Sequence, residues 1–295
     1  MKLFGARRPL VLGHCYEDSQ LDAALTEGHL GAVSTVLWEC RPDPETRMLR
    51  VEVLGDSLAG RGDQVAKVGR DHNDPDLLLA AAQAYIVEAR SIPRALKAGA
   101  TLQLALAPLM TASEQLPDDP VVWALLLVVA QGLDFGRDEQ DSIWAEIITR
   151  APTLYPAFMT RLHSLPPEER QQFAMDTLAS APSGDPVTAV VPAAHFLAQS
   201  LDSGSAKPWR QALRPATPLI TAASRKYLTD TAPHPRAFEA HNIFAAAGTL
   251  TNDRPTATTH LHAMRDRLHP WPWSLLDTDP TEAFYRLTAK FTSRA

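Results

Sequence analysis

The stretch "LPDDPVVWALLLVVAQGL", residues 116–133, decides how the chain is read. Asp119-Pro120 is a helix start: the carboxylate accepts the unpaired amides of a first turn, and proline suits the position whose N–H has no partner anyway. The apolar run that follows, residues 121–130, is too short for a bilayer, which needs roughly 18–20 such residues. A helix that is apolar all round at this length belongs inside a folded core. The stretch also opens a period. Pro117, Pro152 and Pro186 stand 35 and 34 residues apart. Twelve residues before them are Ala105, Gln140 and Ala174; eight before, Leu109, Trp144 and Leu178; five before, Ala112, Ile147 and Ala181. Trp123 and Phe158 follow the first two prolines by six.

Moving outward, Asp-Pro recurs at 43–44, 74–75, 185–186 and 279–280. "DLLLAAAQAYIVEAR", "VTAVVPAAHFLAQSL" and "TEAFYRLTAKF" follow three of these dipeptides and read as helices. Between the Asp-Pro segments, "TLQLALAPLMTASEQL", "EQDSIWAEIITRA" and "EERQQFAMDTLASA" carry apolar residues at steps of three and four, the pattern of amphipathic helices. Strand candidates such as "RPLVLG" are few, and there is no run of βα units. The expectation is an all-α chain of about fourteen helices.

Small residues that let two helices approach, large ones that fill the gap, and a proline closing each pair resemble the tetratricopeptide (TPR) pattern, whose period is about 34 residues. Leu127 and Leu162 stand where that pattern has a small residue, and Ala130 where it has tyrosine, so the array is TPR-like. "DDPVVWALLLVVAQGL", "RAPTLYPAF", "APSGDPVTAVVPAAHF" and "HPWPWSLLDTDPTEAF" also resemble a family of TPR-related bacterial proteins of no assigned chemistry, over roughly residues 40–290. The resemblance implies a right-handed antiparallel helix-pair array, an α-α superhelix. An N-terminal extension over 1–15 would precede a single array over 16–295, with its clearest repeats at 100–200 and capping helices over 233–295. Such arrays present a long concave surface suited to an extended peptide or a partner helix. Trp123 and Phe158 are the expected lining.

Composition narrows the function classes. Of 295 residues, 45% are hydrophobic and 21% charged, enough to bury a core. The net charge of −6 and the absence of a basic run argue against nucleic acid and against a polybasic membrane contact. Cys15 and Cys40 form no Cys-x-x-Cys pair and read as reduced thiols. The N-terminus has only a five-residue apolar patch, "PLVLG", short of the roughly 7–15 residues of a signal peptide, so a cytoplasmic protein is expected. No phosphate loop or dinucleotide fingerprint is present, and no cofactor is implied. The partner expected is a protein or peptide, neutral or basic in charge.

One alternative is enzymatic. Gly55-Asp56-Ser57-Leu58 matches the signature of the G-D-S-L serine esterases, and Asp266-Arg267-Leu268-His269 resembles their Asp-x-x-His. The resemblance implies Ser57 as nucleophile, His269 as base and Asp266 as its orienter. The family's Gly-x-Asn-Asp block is missing: Asn73-Asp74 and Asn252-Asp253 lack the glycine. Met48, Val51, Val53, Leu54 and Leu58 instead fit the stripe of a helix through the motif. Five histidines fall in 234–269, with His234 and His241, and His262 and His269, seven apart. Each pair would share a face if one helix ran through both, and neighbouring helices would bring His241 near His262. There is no His-Glu-x-x-His, and no metal is expected. His241 and Asn242 border an apolar helix, where Asn242 either bonds a neighbouring backbone or reads a ligand amide. Trp271 and Trp273 in "HPWPW" suit a plug at the end of the array.

Overall fold

A computed structural model describes residues 10–14, 16–93, 95–198, 206–230 and 232–292. The described residues are all-α apart from one parallel pairing of two-residue strands. Among the described residues no helix is long and apolar enough to cross a membrane. The helices gather into two compact units, divided between Ser164 and Leu165, inside the periodic stretch.

The first unit, Glu17–Ser164, holds α1 (Ser19–Glu27), α2 (Leu30–Glu39), α3 (Pro44–Ser57), α4 (Gly62–Asp71), α5 (Pro75–Arg90), α6 (Ala95–Gln115), α7 (Pro120–Gly132), α8 (Arg137–Arg150) and α9 (Tyr155–Ser164). Odd-numbered neighbours lie side by side: α1 on α3, α3 on α5, α5 on α7, α7 on α9. The even-numbered α2, α6 and α8 pack on the odd helices next to them in sequence, and α4 on α5. At the centre is α5, buried without interruption from Asp76 to Ile86. Its run of alanines leaves room for close neighbours. Gly55 of α3 meets α5 where a Cβ would lie 2.3 Å from Gln83 Cγ, so only glycine fits this crossing.

Each Asp-Pro dipeptide sits at a helix start. Asp43, Asp74 and Asp119 cap α3, α5 and α7, accepting from amides two or three residues on, with proline in the first turn. In the first unit these starts are gathered by α3. Arg47, with a fully buried side chain, places Nε 2.7 Å from Asp119 Oδ2 and one terminal nitrogen 2.7 Å from Asp76 Oδ1. Its other terminal nitrogen donates to Leu37 O at 2.6 Å. Glu45, two residues earlier, accepts the amide of Tyr155 at the head of α9. One turn of α3 thus holds the N-termini of α5, α7 and α9. Arg50, a turn further on, makes a two-pronged pair with Asp18, the cap of α1, at 2.7 and 3.1 Å. Burial disfavours a charged Arg47, but Asp119 and Asp76 outweigh it and hold the guanidinium protonated.

The second unit runs from Leu165 onward and includes the N-terminal segment up to Tyr16. It holds β1 (Val11–Leu12), α10 (Pro167–Ser180), a 3₁₀ turn (Pro186–Ala189), α11 (Val190–Leu197), α12 (Ala206–Leu213), α13 (Thr217–Leu228), α14 (Ala237–Thr251), α15 (Arg254–Ala263), β2 (Arg267–Leu268), α16 (Pro270–Trp273) and α17 (Pro280–Thr292). Asp185 caps the 3₁₀ turn and Asp279 accepts from the first turn of α17. The "RPLVLG" segment supplies β1, whose Val11 pairs with Arg267 and Leu12 with Leu268. Arg267 also donates to Tyr16 O at 2.6 Å. The described part of the 1–15 extension is therefore pinned to this unit; Cys15 lies outside the described residues.

The centre of this unit is α14, buried from Ala240 to Leu250. Gly248 brings it against α15, where a Cβ would lie 2.7 Å from Ala257 N. Around it a core of Phe196, Trp209, Ile220, Met264, Trp273 and Phe284 closes.

Removing one partner of a buried, hydrogen-bonded ion pair leaves the other charge desolvated and typically costs about 3–5 kcal/mol. Arg47→Ala takes the guanidinium from Asp119 and leaves Asp76 with Arg41 alone, so urea unfolding followed by circular dichroism is expected to show a loss of that order. A loss below about 1 kcal/mol, the range of an exposed pair, would refute the role given to Arg47.

Candidate functional site

The capping network shapes one rim of the first unit. The turns before α3, α5 and α7 lie there, and Arg41 stands among them. Arg41 donates to Asp76 Oδ2 at 2.7 Å, so the Asp76 carboxylate, 2% exposed, bridges two guanidinium groups. Asp74 uses one oxygen to cap α5 and the other to accept from Ser34 Oγ at 2.6 Å. Gln115 at the end of α6 donates to Asn73 Oδ1 at 2.8 Å, tying two of the turns together.

Two clefts open on this rim and share Arg41 as a wall. One, of about 420 Å³, is lined by Trp38, Arg41, residues 72–76 and the adjoining turn of α2. The other, of about 330 Å³, is lined by Arg41 and residues 115–120. Trp38 is 61% exposed beside the first cleft, an unusual position for an indole. Its surroundings are held by buried ion pairs, so the surface is rigid before anything binds. Sequence reasoning passed over Trp38 and Arg41. The available signal was an aromatic and an arginine just ahead of the Asp43-Pro44 cap.

The residues that the sequence put forward are placed differently. Phe158 is buried edge-on to Trp144, with ring centres 5.0 Å apart. Trp123 is half-buried, with the Arg150 guanidinium 5.3 Å above its ring. Both rings are committed to packing within the first unit.

Ser57 lies in the last turn of α3, where its hydroxyl donates to Leu54 O at 2.7 Å. A helix C-terminus carries the negative end of the backbone dipole, the wrong sign for an oxyanion. The elbow that exposes a nucleophilic serine leads into a helix N-terminus. Gly55 is explained by the crossing with α5, and Leu58 by its burial in the core. Asp266 and His269 belong to the second unit. His269 Nδ1 bonds Trp271 O at 2.9 Å, and its Nε2 faces Glu239 at 3.4 Å.

His234 precedes α14, His262 lies on α15, and His269 caps α16, so neither seven-residue pair shares a helix. The partner of His241 is His260: the two Nδ1 atoms are 2.7 Å apart. His260 Nε2 in turn lies 2.8 Å from Ser224 Oγ. The order serine, imidazole, third group is that of a hydrolytic triad. His260 is 0% and Ser224 2% exposed, however, so a substrate has no approach. Among the described residues no group of three or more His, Cys, Asp or Glu is placed to hold a metal ion.

Asn242 is a structural residue. It donates to Phe238 O at 2.7 Å and Arg267 O at 3.0 Å, and its Oδ1 accepts from Trp273 Nε1 at 3.0 Å. It thereby fixes β2 and the "HPWPW" turn to α14. Trp273 is fully buried against Phe284, and Trp271 packs edge-on to Phe196.

Comparison of the chain with protein-family models, with curated proteins and with solved structures gives no match.

Two substitutions separate these roles. Asn242→Ala leaves the buried indole N–H of Trp273 without its acceptor, and a group so stranded costs about 1–3 kcal/mol. Ser57→Ala removes only a helix-end bond and is expected to change stability by less than about 0.5 kcal/mol. Thermal unfolding followed by tryptophan fluorescence measures both; equal effects would contradict the assignment.

Proposed function

We propose that the chain is a protein-binding module of the TPR-like kind, a right-handed helical array acting in the cytoplasm, and that its recognition surface is the Trp38–Arg41 rim of the first unit. The observation that carries this reading is Trp38, an indole 61% exposed at the wall of a cleft whose floor is fixed by buried ion pairs. Tryptophan and arginine are the residues most enriched among binding hot spots, and a preorganised surface reduces the entropy lost on binding. Support for the array comes from the layering of odd-numbered helices and the turn at each periodic proline. The 35-residue step from Pro117 to Pro152 spans one packed helix pair, α7 and α8, as in TPR-like repeats.

The rim is favoured over the interior of the array because Glu45 joins the head of α3 to that of α9, and Phe158 is spent on Trp144. The partner is an extended segment of a protein, neutral or basic overall, that lays an apolar side chain on Trp38 and a hydrogen-bond acceptor beside Arg41. The net charge of −6 works against an acidic partner. The esterase reading has no support in the position of Ser57.

The test is selection from a displayed peptide library on the full chain. Enriched peptides are expected to lose at least about ten-fold in affinity, 1.4 kcal/mol, on Trp38→Ala. The exposed indole predicts an unchanged melting temperature for that variant. No enrichment, or peptides that bind Trp38→Ala as tightly as the parent, overturns the proposal.

A further inference from the structure

The buried pair His241–His260 has a proton inventory that its geometry restricts. The two Nδ1 atoms, 2.7 Å apart, hold one proton between them. The contact of His260 Nε2 with Ser224 Oγ, 2.8 Å, holds another. At neutral pH both rings are uncharged in either tautomer of this chain. One added proton makes a cation of a pair whose rings are 9% and 0% exposed; a second sets N–H against N–H.

The surroundings offer no compensation. Tyr227 of α13 stacks on His260 at 7° between planes, and Phe244 of α14 does so at 20°. Tyr227 is the titratable group facing both rings, and burial, reinforced by the charge of Asp185 ahead of the 3₁₀ turn, holds its phenol protonated. Burial disfavours a charged His241, and burial together with a charge on His241 disfavours a charged His260. Among the described residues, no carboxylate from the other elements packed on α14, namely α11, α12, α16, α17 and β2, acts on either ring.

We propose that the His241–His260 pair is an acid-sensitive latch that holds the C-terminal end of α15 against α13 and α14, and that mild acid releases that end. The pair sits at the end of the α14–α15 hairpin remote from its turn. The turn end is held independently by the Gly248–Ala257 contact and by Asp253, which accepts from the hydroxyls of Thr221 and Thr256. Opening is therefore local. It uncovers Ser224, Tyr227 and Phe244, an apolar surface with one hydroxyl.

The sign follows from the direction of the shifts. Burial pushes His241 down to about 4 and His260 down as well. A released imidazole takes up its proton near 6.5. Between those values the open form binds protons that the closed form refuses, so closure is complete above about pH 6.5 and weakens as pH falls toward 4.

Amide hydrogen exchange on the full chain, expressed as protection factors so that the intrinsic pH dependence cancels, tests the latch. Between pH 7.5 and pH 5.0, protection over residues 258–264 and 240–244 is expected to fall at least about thirty-fold, the ratio for one imidazole moving from 6.5 to about 4. Protection over α5 should hold. His241→Gln, which cannot titrate, should reduce the acid effect. If that variant does not fold, ¹⁵N NMR of the parent's histidine rings decides instead, and both rings are expected to be neutral at pH 6. Less than about three-fold loss at pH 5.0, an equal loss over α5, an undiminished acid effect in a folded His241→Gln, or rings that titrate near 6.5 while α15 stays protected would each overturn the latch.

Discussion

Arg47 is a full positive charge with no exposed surface, and the first unit is arranged around it. A cation taken out of water is tolerable only when its charge is matched. The matching charges come from helix starts: Asp119 caps α7 and Asp76 lies in the first turn of α5. Each carboxylate does two things, since an acid near a helix N-terminus also offsets the positive end of that helix dipole. Two helix heads that would otherwise repel one another are drawn to one turn of α3 by Arg47, and Glu45 adds a third, that of α9. Cys40 lies between Arg47 and Arg50, where burial raises its thiol and the two guanidinium groups act the other way; the net shift is upward, as for an inert, protonated thiol.

The second unit pairs a buried Arg236 with Glu239 at the head of its central helix and sets neutral contacts beyond it. Its central helix, α14, is as buried as α5 but carries polar side chains, His241 and Asn242, on its first turns. Each is satisfied by neutral partners. Asn242 serves three groups from three segments, and His241 shares one proton with His260. Neutral networks of this kind give directional specificity in an apolar core. They also inherit the titration behaviour of imidazole, whereas in the first unit the charges of Asp119 and Asp76 hold the Arg47 guanidinium protonated.

The short motifs owe their form to packing. Glycine in Gly55-Asp56-Ser57-Leu58 is demanded by the crossing of α3 and α5, and leucine by the core. Ser57 fills a helix end, where a hydroxyl readily bonds a carbonyl three or four residues back. "HPWPW" reads as an aromatic turn in sequence and is one, held by an asparagine 31 residues before Trp273.

The helical class, the helix starts at Asp-Pro and the turn at each periodic proline were legible in the residues themselves. Capping joins a side chain to amides two or three positions away, and amphipathic spacing reflects a period of one helix, so both are written locally. The division at Ser164, the rim formed by Trp38 and Arg41, and the choice of His260 over His262 as the partner of His241 were decided by tertiary structure. These depend on contacts such as Arg47 with Asp119, 72 residues apart. Nothing local distinguishes an aspartate that caps a helix in water from one that also neutralises a buried arginine. The difference is made by desolvation, which exists only once the helices have packed.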